Sequence, residues 1–122
     1  MQATLEGFCR QTDIPISTCR AMKLVLDEIV SNIVKYAYTT SKAGSIDLEL
    51  RYCDHKFSAV VEDSGKPFNP LLFSTRKSTG PLQHRKLGGL GILFVKNLVD
   101  SAAYDRQDGR NRLTLTIAIP LP

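Results

Sequence analysis

Apolar positions in the first third of the chain recur at helical spacing. Met22, Leu26, Ile29, Val30, Ile33 and Ala37 share one sector of a helix at about 100° per residue. The spacing predicts a helix running to about Tyr38, with Ser17 or Thr18 capping its first free N–H groups. A shorter helix, Leu5 to Arg10, carries Leu5, Phe8 and Cys9 and is broken by Asp13-Ile14-Pro15. After a turn at Ser41-Lys42-Ala43-Gly44 the period drops to two. Ile46, Leu48, Leu50 and Tyr52 alternate with Asp47, Glu49 and Arg51, which is a strand with one wet face. Cys53-Asp54-His55-Lys56 then forms a hairpin turn into a partner strand, Phe57 to Glu62, ending on Asp63. Near the C-terminus a helix from Gly91 to Val99 precedes a short strand, Ala103 to Arg106. An Asp108-Gly109 turn follows, then a last strand in which Leu113, Leu115, Ile117 and Ile119 alternate with Thr114, Thr116 and Ala118. This order predicts an α+β two-layer sandwich, with an antiparallel or mixed sheet and helices on one face.

Between Ser64 and Leu87 periodicity fades, and Pro67, Pro70, Pro81 and two glycines mix with Ser, Thr, Arg and Lys. A loop of that length in a compact domain is functional or mobile. The 122 residues suit one domain, residues 1–122, which should bury about two thirds of its unfolded surface. No apolar run approaches the ~20 residues of a membrane span, and the N-terminus lacks a basic-then-apolar export signal. The expected location is therefore cytoplasmic. The net charge of +4 comes without an RNA- or DNA-binding motif, and Arg76, Lys77, Arg85 and Lys86 concentrate much of the excess. A local basic loop suits a small anion, and neither nucleic acid nor membrane is an expected partner. Cys9, Cys19 and Cys53 are odd in number and lack metal-like spacing, so reduced thiols are expected rather than a disulfide framework.

Three segments carry candidate chemistry. Glu28, Asn32, Lys35 and Tyr36 stand at i, i+4, i+7 and i+8, on the sector opposite the apolar one. The Asn carboxamide is a hard oxygen ligand suited to Mg²⁺ held otherwise by phosphate and water. Glu28 can deprotonate a hydroxyl, Lys35 can neutralise phosphate and Tyr36 can stack on a base. Asp63-Ser64-Gly65 ends a strand with an acceptor for an exocyclic amine, and its Gly admits a close approach. Gly88-Gly89-Leu90-Gly91 opens a helix, where free N–H groups favour an anion. Taken singly, each has an ordinary reading: a solvated helix face with i+3/i+4 pairs, a turn and a hinge.

Together, and in this order within about 65 residues of chain, the three segments resemble the GHKL (Bergerat-fold) ATPases. More narrowly, Val61 to Pro70, Gly88 to Asp100 and Asp108 to Leu115 are similar to the anti-sigma-factor serine kinases, the RsbW-like branch. The resemblance spans Ile14 to Ile119. It implies ATP and Mg²⁺ as cofactors, Glu28 as catalytic base, Asn32 as Mg²⁺ ligand and Asp63 as the adenine-recognising acid, with Gly65 giving room to the base. It implies that Gly89, Leu90 and Gly91 hold phosphates. It also implies an ATP lid at about residues 71–87, from which Arg76, Arg85 or Lys86 reaches phosphate, and places Asn111 or Thr114 near the adenine. Pro67 replaces the family's second Gly, which the RsbW-like branch tolerates. That branch usually opens with a β-strand, whereas this chain starts almost inside the first helix, leaving the sheet edge and any dimer interface open.

The implied activity is phosphoryl transfer from ATP to a serine of a STAS-type anti-sigma-factor antagonist, with sequestration of a sigma factor, often as a homodimer. A second reading is a nucleotide-binding clamp without transfer. A third, the ATPase domain of a histidine kinase, needs a phosphoacceptor His, and neither His55 in a turn nor His84 in the lid fits that role.

Overall fold

The computed structural model describes residues 2–37, 45–72 and 95–120. Helix α1 (Gln2–Arg10) leads into α2 (Ile16–Asn32), which continues as a π-helical turn, Ile33–Ala37. Strands β1 (Ile46–Cys53), β2 (Lys56–Asp63), β3 (Ser101–Gln107) and β4 (Arg110–Ala118) form one antiparallel sheet in the order β1-β2-β4-β3. The expected α+β architecture is present, with the sheet wholly antiparallel among the described strands.

Both hairpins turn on two residues in the left-handed region: Asp54 (φ 53°) with His55 (φ 60°), and Asp108 (φ 52°) with Gly109 (φ 74°). Two successive positive φ angles give the backbone twist that matches right-twisted strands. The turns therefore fix the register, and each strand sends one set of alternating side chains to the helices. Phe57, Ala59 and Val61 of β2 and Leu113, Leu115 and Ile117 of β4 meet Met22, Val25, Leu26, Ile29 and Ile33 of α2 in one buried cluster. Leu5 joins it from α1, and Phe8 stacks on Phe57 with ring centroids 5.7 Å apart. The other face of the sheet is polar. Ser58 Oγ lies 3.0 Å from Thr116 Oγ1, and Arg110 reaches across to Asp47 at 2.6 Å and to Glu62 at 3.8 Å.

Three expectations are corrected here. First, neither Ser17 nor Thr18 caps α2. Pro15 occupies the cap position at φ −58° and ψ 146°, makes no side-chain cap bond, and its carbonyl accepts Cys19 N–H at 3.1 Å. The pyrrolidine ring presets φ for a helix start, so both hydroxyls fall inside the first turn. Second, the thiols are not all free: Cys9 and Cys19 form a disulfide, leaving Cys53 as the free, exposed cysteine. The break at Asp13-Ile14-Pro15 folds α1 back against α2 and brings the two Cα atoms within 6.4 Å. The reduced-thiol argument about compartment falls with it. Third, α2 is not one regular helix to Tyr38, because the winding changes to π just after Asn32. The turn at 41–44 and the segments 73–94 lie outside the described residues; of the helix read at Gly91 to Val99, residues 95–98 are helical. No helix among the described residues is long and apolar enough to cross a membrane.

Candidate functional site

The site is best built from Asp63. The alternation that buries Phe57, Ala59 and Val61 places Asp63, the last residue of β2, on the same inward face, where it is 1% exposed. A carboxylate buried this far must be hydrogen-bonded. Its Oδ1 accepts the backbone N–H of Gly65 at 2.8 Å and the Asn111 Nδ2 amide at 3.0 Å. The first bond closes a turn of the kind Asp forms two residues on, so Ser64-Gly65 bends because of the acid that precedes it. The second bond crosses the sheet, since Asp63 and Asn111 are directly paired in the β2–β4 ladder.

Asn111 stands where the inward register of β4 (Leu113, Leu115, Ile117) would otherwise continue as apolar, and it is 3% exposed. Besides Asp63 it donates to the Lys66 carbonyl at 2.9 Å. Its Oδ1 accepts the Phe68 N–H at 3.2 Å, Arg106 NH1 at 3.1 Å and the Tyr104 hydroxyl. Arg106 NH1 also donates to the Gly65 carbonyl at 2.8 Å. The segment from Gly65 to Phe68 is thus fastened to β3 and β4 by side chains rather than by a strand ladder.

Asn32 is the other polar side chain buried in the helix layer, at 0% exposure, and neither its Oδ1 nor its Nδ2 finds a partner among the described residues. The expectation that it shares a solvent sector with Glu28 and Lys35 is corrected. Seven residues after Val25, Asn32 lies only about 20° round the helix from it, within the stripe that packs on the sheet. Glu28 is half-buried at the border of that stripe, and Lys35 is exposed on the π turn. Asn32 makes no hydrogen bond to Glu28 or Lys35 among the described residues, so the ordinary reading of a self-paired helix face is not what the helix does. The side chain of Tyr36 lies outside the described residues. Val30 shares a cavity of about 330 Å³ with Ile46, Asp47, Leu48 and Val61, and Ile46 is the ladder partner of Asp63.

Of the remaining residues singled out in the sequence, Gly65 is buried in the turn and Pro67 is exposed just beyond it. Thr114 occupies the alternate register of β4, opposite Val60 and Ala103, on the polar face of the sheet. The structure does not bring it to Asp63. Arg76, Arg85, Lys86, Gly89, Leu90 and Gly91 lie outside the described residues, as does the lid segment beyond Leu72. Tyr104 and Arg106 were not singled out. The available signal was their inward register on β3 with Ala102, which sets an arginine where alternation predicts a core side chain.

The chain is similar to solved histidine kinases in fold. It superposes on the blue-light activated histidine kinase of Erythrobacter litoralis EL346 with a TM-score of 0.63 at 17% identity, covering 88% of this chain and 32% of that one. For the histidine kinase AdeS of Acinetobacter baumannii the TM-score is 0.56 at 17% identity, over 83% and 47% of the two chains. The chain thus spans less than half the length of either structure. Among curated proteins it is 30% identical over 95 residues to the serine/threonine-protein kinase BtrW of Bordetella bronchiseptica, covering 78% of this chain and 67% of that protein. It is 26% identical over 116 residues to the serine-protein kinase RsbW of Staphylococcus epidermidis, covering 89% and 72%. Residues 1–117 match the histidine kinase-like ATPase domain, and the chain belongs to that family.

Proposed function

We propose that this domain binds ATP with Mg²⁺ and transfers the γ-phosphoryl group to a serine of a partner protein. In this reading the substrate is a STAS-type anti-sigma-factor antagonist, and the unphosphorylated pair controls a sigma factor that the domain, as a homodimer, sequesters in the cytoplasm. The observation that carries the nucleotide reading is the buried Asn32 amide at the end of α2, which has no partner among the described residues. An orphaned carboxamide in a core is costly unless a ligand completes it. The names of the two curated relatives support serine as the acceptor.

Asn32 Oδ1 is the protein ligand that would hold Mg²⁺, with phosphate oxygens and water supplying the rest of its shell. When bound, the ion neutralises charge developing on the transferring phosphoryl group. Asp63 accepts the adenine amino group through Oδ2, and the buried Gly65 leaves room for the ring. Glu28, half-buried one turn before Asn32, takes the seryl proton. The seryl oxygen attacks the γ-phosphorus, the bond to the β,γ-bridging oxygen breaks, and ADP leaves. Lys35, Tyr36 and the lid cations Arg76, Arg85 and Lys86 are assigned to the phosphates and base, with Gly89, Leu90 and Gly91 at the phosphate end. Thr114 is left out of this site.

The deciding experiment is a [γ-³²P]ATP transfer assay against antagonist proteins encoded in the same genome. Label on a serine, lost in Asn32→Ala and reduced at least about a hundredfold in Glu28→Gln, supports the kinase. ATP binding without transfer to any antagonist makes the domain a nucleotide-dependent clamp instead.

A further inference from the structure

We propose that Asn111, braced by Tyr104 and Arg106, is the positioning residue that aims Asp63 at the base and so sets the preference for adenine. This rests on the nucleotide reading above but assigns Asn111 a different role from contact with the adenine. Its carboxamide has two N–H donors, and both are used within the protein, one on Asp63 Oδ1 and one on the Lys66 carbonyl. Its oxygen already faces three donors, from Phe68, Tyr104 and Arg106. A flipped amide would set NH₂ against those three donors and oxygen against two acceptors, so the partners fix its orientation. No hydrogen-bonding capacity is left for a ligand.

The bonds act on Asp63 at one point. Gly65 N–H and Asn111 Nδ2 both bind Oδ1, which pins that oxygen and fixes the carboxylate plane. Oδ2 takes neither of these two bonds and is the oxygen this reading turns to the base. Arg106 NH1 bridges the Asn111 oxygen and the Gly65 carbonyl, tying the acid's cross-strand partner to the turn that follows the acid. The register makes this contiguous: Asp63 pairs with Asn111, and Asn111 pairs with Arg106. An acceptor held in one orientation favours a donor at one place on the base. If it swings freely, a base without that donor is penalised less.

The test compares Kd values, by titration calorimetry, for ATP and for purine riboside triphosphate, which is ATP without the 6-amino group. Both are measured with Mg²⁺ on the full chain. The wild type should prefer ATP by roughly tenfold or more, the worth of one hydrogen bond to a charged acceptor. Asn111→Asp replaces the donor facing Asp63 with a second carboxylate, and should bring the preference below about threefold by like-charge repulsion. Tyr104→Phe keeps the ring and Arg106→Met keeps the stem; each should reduce the preference by at least about threefold through loss of one bond. Arg106→Lys, which retains a donor, should restore most of it. Should Asn111→Asp fail to fold, the Tyr104 and Arg106 variants carry the test. Variants that bind both nucleotides more weakly in an unchanged ratio, or that bind both as the wild type does, overturn the positioning role while leaving the ATP site intact. A wild type that does not distinguish the two nucleotides overturns the assignment of Asp63 to the amine itself.

Discussion

Replacing Asn32 with leucine should make the nucleotide-free domain more stable and abolish its response to ATP. Asn32 has no exposed surface, and its two polar atoms have no partner among the described residues. Each unsatisfied group costs about 1–3 kcal/mol relative to a paired or apolar one. Leucine branches at the same carbon but has bulkier ends, and crowding a packed site gives back roughly 1–3 kcal/mol. The net expectation is a gain of about 1–2 kcal/mol, or roughly 4–8 °C in Tm for a domain of this size. Adding ATP and Mg²⁺ at a hundred times Kd should stabilise the wild type by about 2.7 kcal/mol through mass action, and the Leu variant not at all. Calorimetric melting with and without nucleotide measures all four states. The order without ligand is therefore variant above wild type, and the two exchange places with ligand. A variant that melts below the wild type in the absence of nucleotide would mean that the Asn32 amide is already satisfied, and the argument for a cation beside it would fail.

Other perturbations test the frame around the site. Phe57 is fully buried and stacked on Phe8; Phe57→Ala should cost about 3–5 kcal/mol in urea denaturation, whereas a loss below 1 kcal/mol would contradict the packing of α1 on the sheet. Closing the Cys9–Cys19 loop of sequence separation 10 should contribute about 2–3 kcal/mol by restricting the unfolded chain. Thermal melts of Cys19→Ser, and of wild type with and without dithiothreitol, check this; intact mass under non-reducing conditions checks the bond itself. His55 holds φ 60° without being glycine, so His55→Gly should raise stability by up to about 1 kcal/mol, and destabilisation would show that the side chain contributes more than its strain removes.

Local pattern was enough for the strands and the turns between them. The alternation around Leu48 and around Leu115 marked β1 and β4, and Asp108-Gly109 marked the turn from β3 into β4, because side-chain period and turn chemistry are properties of adjacent residues. Asp63, an acid at a strand end before Ser64-Gly65, reads by itself as an ordinary turn, and its order with the other two segments is what raised it to a site residue. Asn111 was placed near the base only through resemblance, although it breaks the inward register of β4.

What the amino-acid sequence determined by itself was the α+β order of elements and the kinds of groups available for chemistry. Tertiary structure decided how those groups are used. The meeting of α1 with α2 joined two cysteines that spacing had left unpaired. Docking of α2 on the sheet turned Asn32 from a solvent-facing ligand into a buried amide with no partner among the described residues. Strand pairing put Asp63, Asn111 and Arg106 side by side although Asp63 and Asn111 are 48 positions apart in the chain, and sent Thr114 to the far face. The physical reason is common to all of these. Burial and hydrogen-bond partnership depend on what the opposite layer or neighbouring strand supplies, and no window along one segment contains that information.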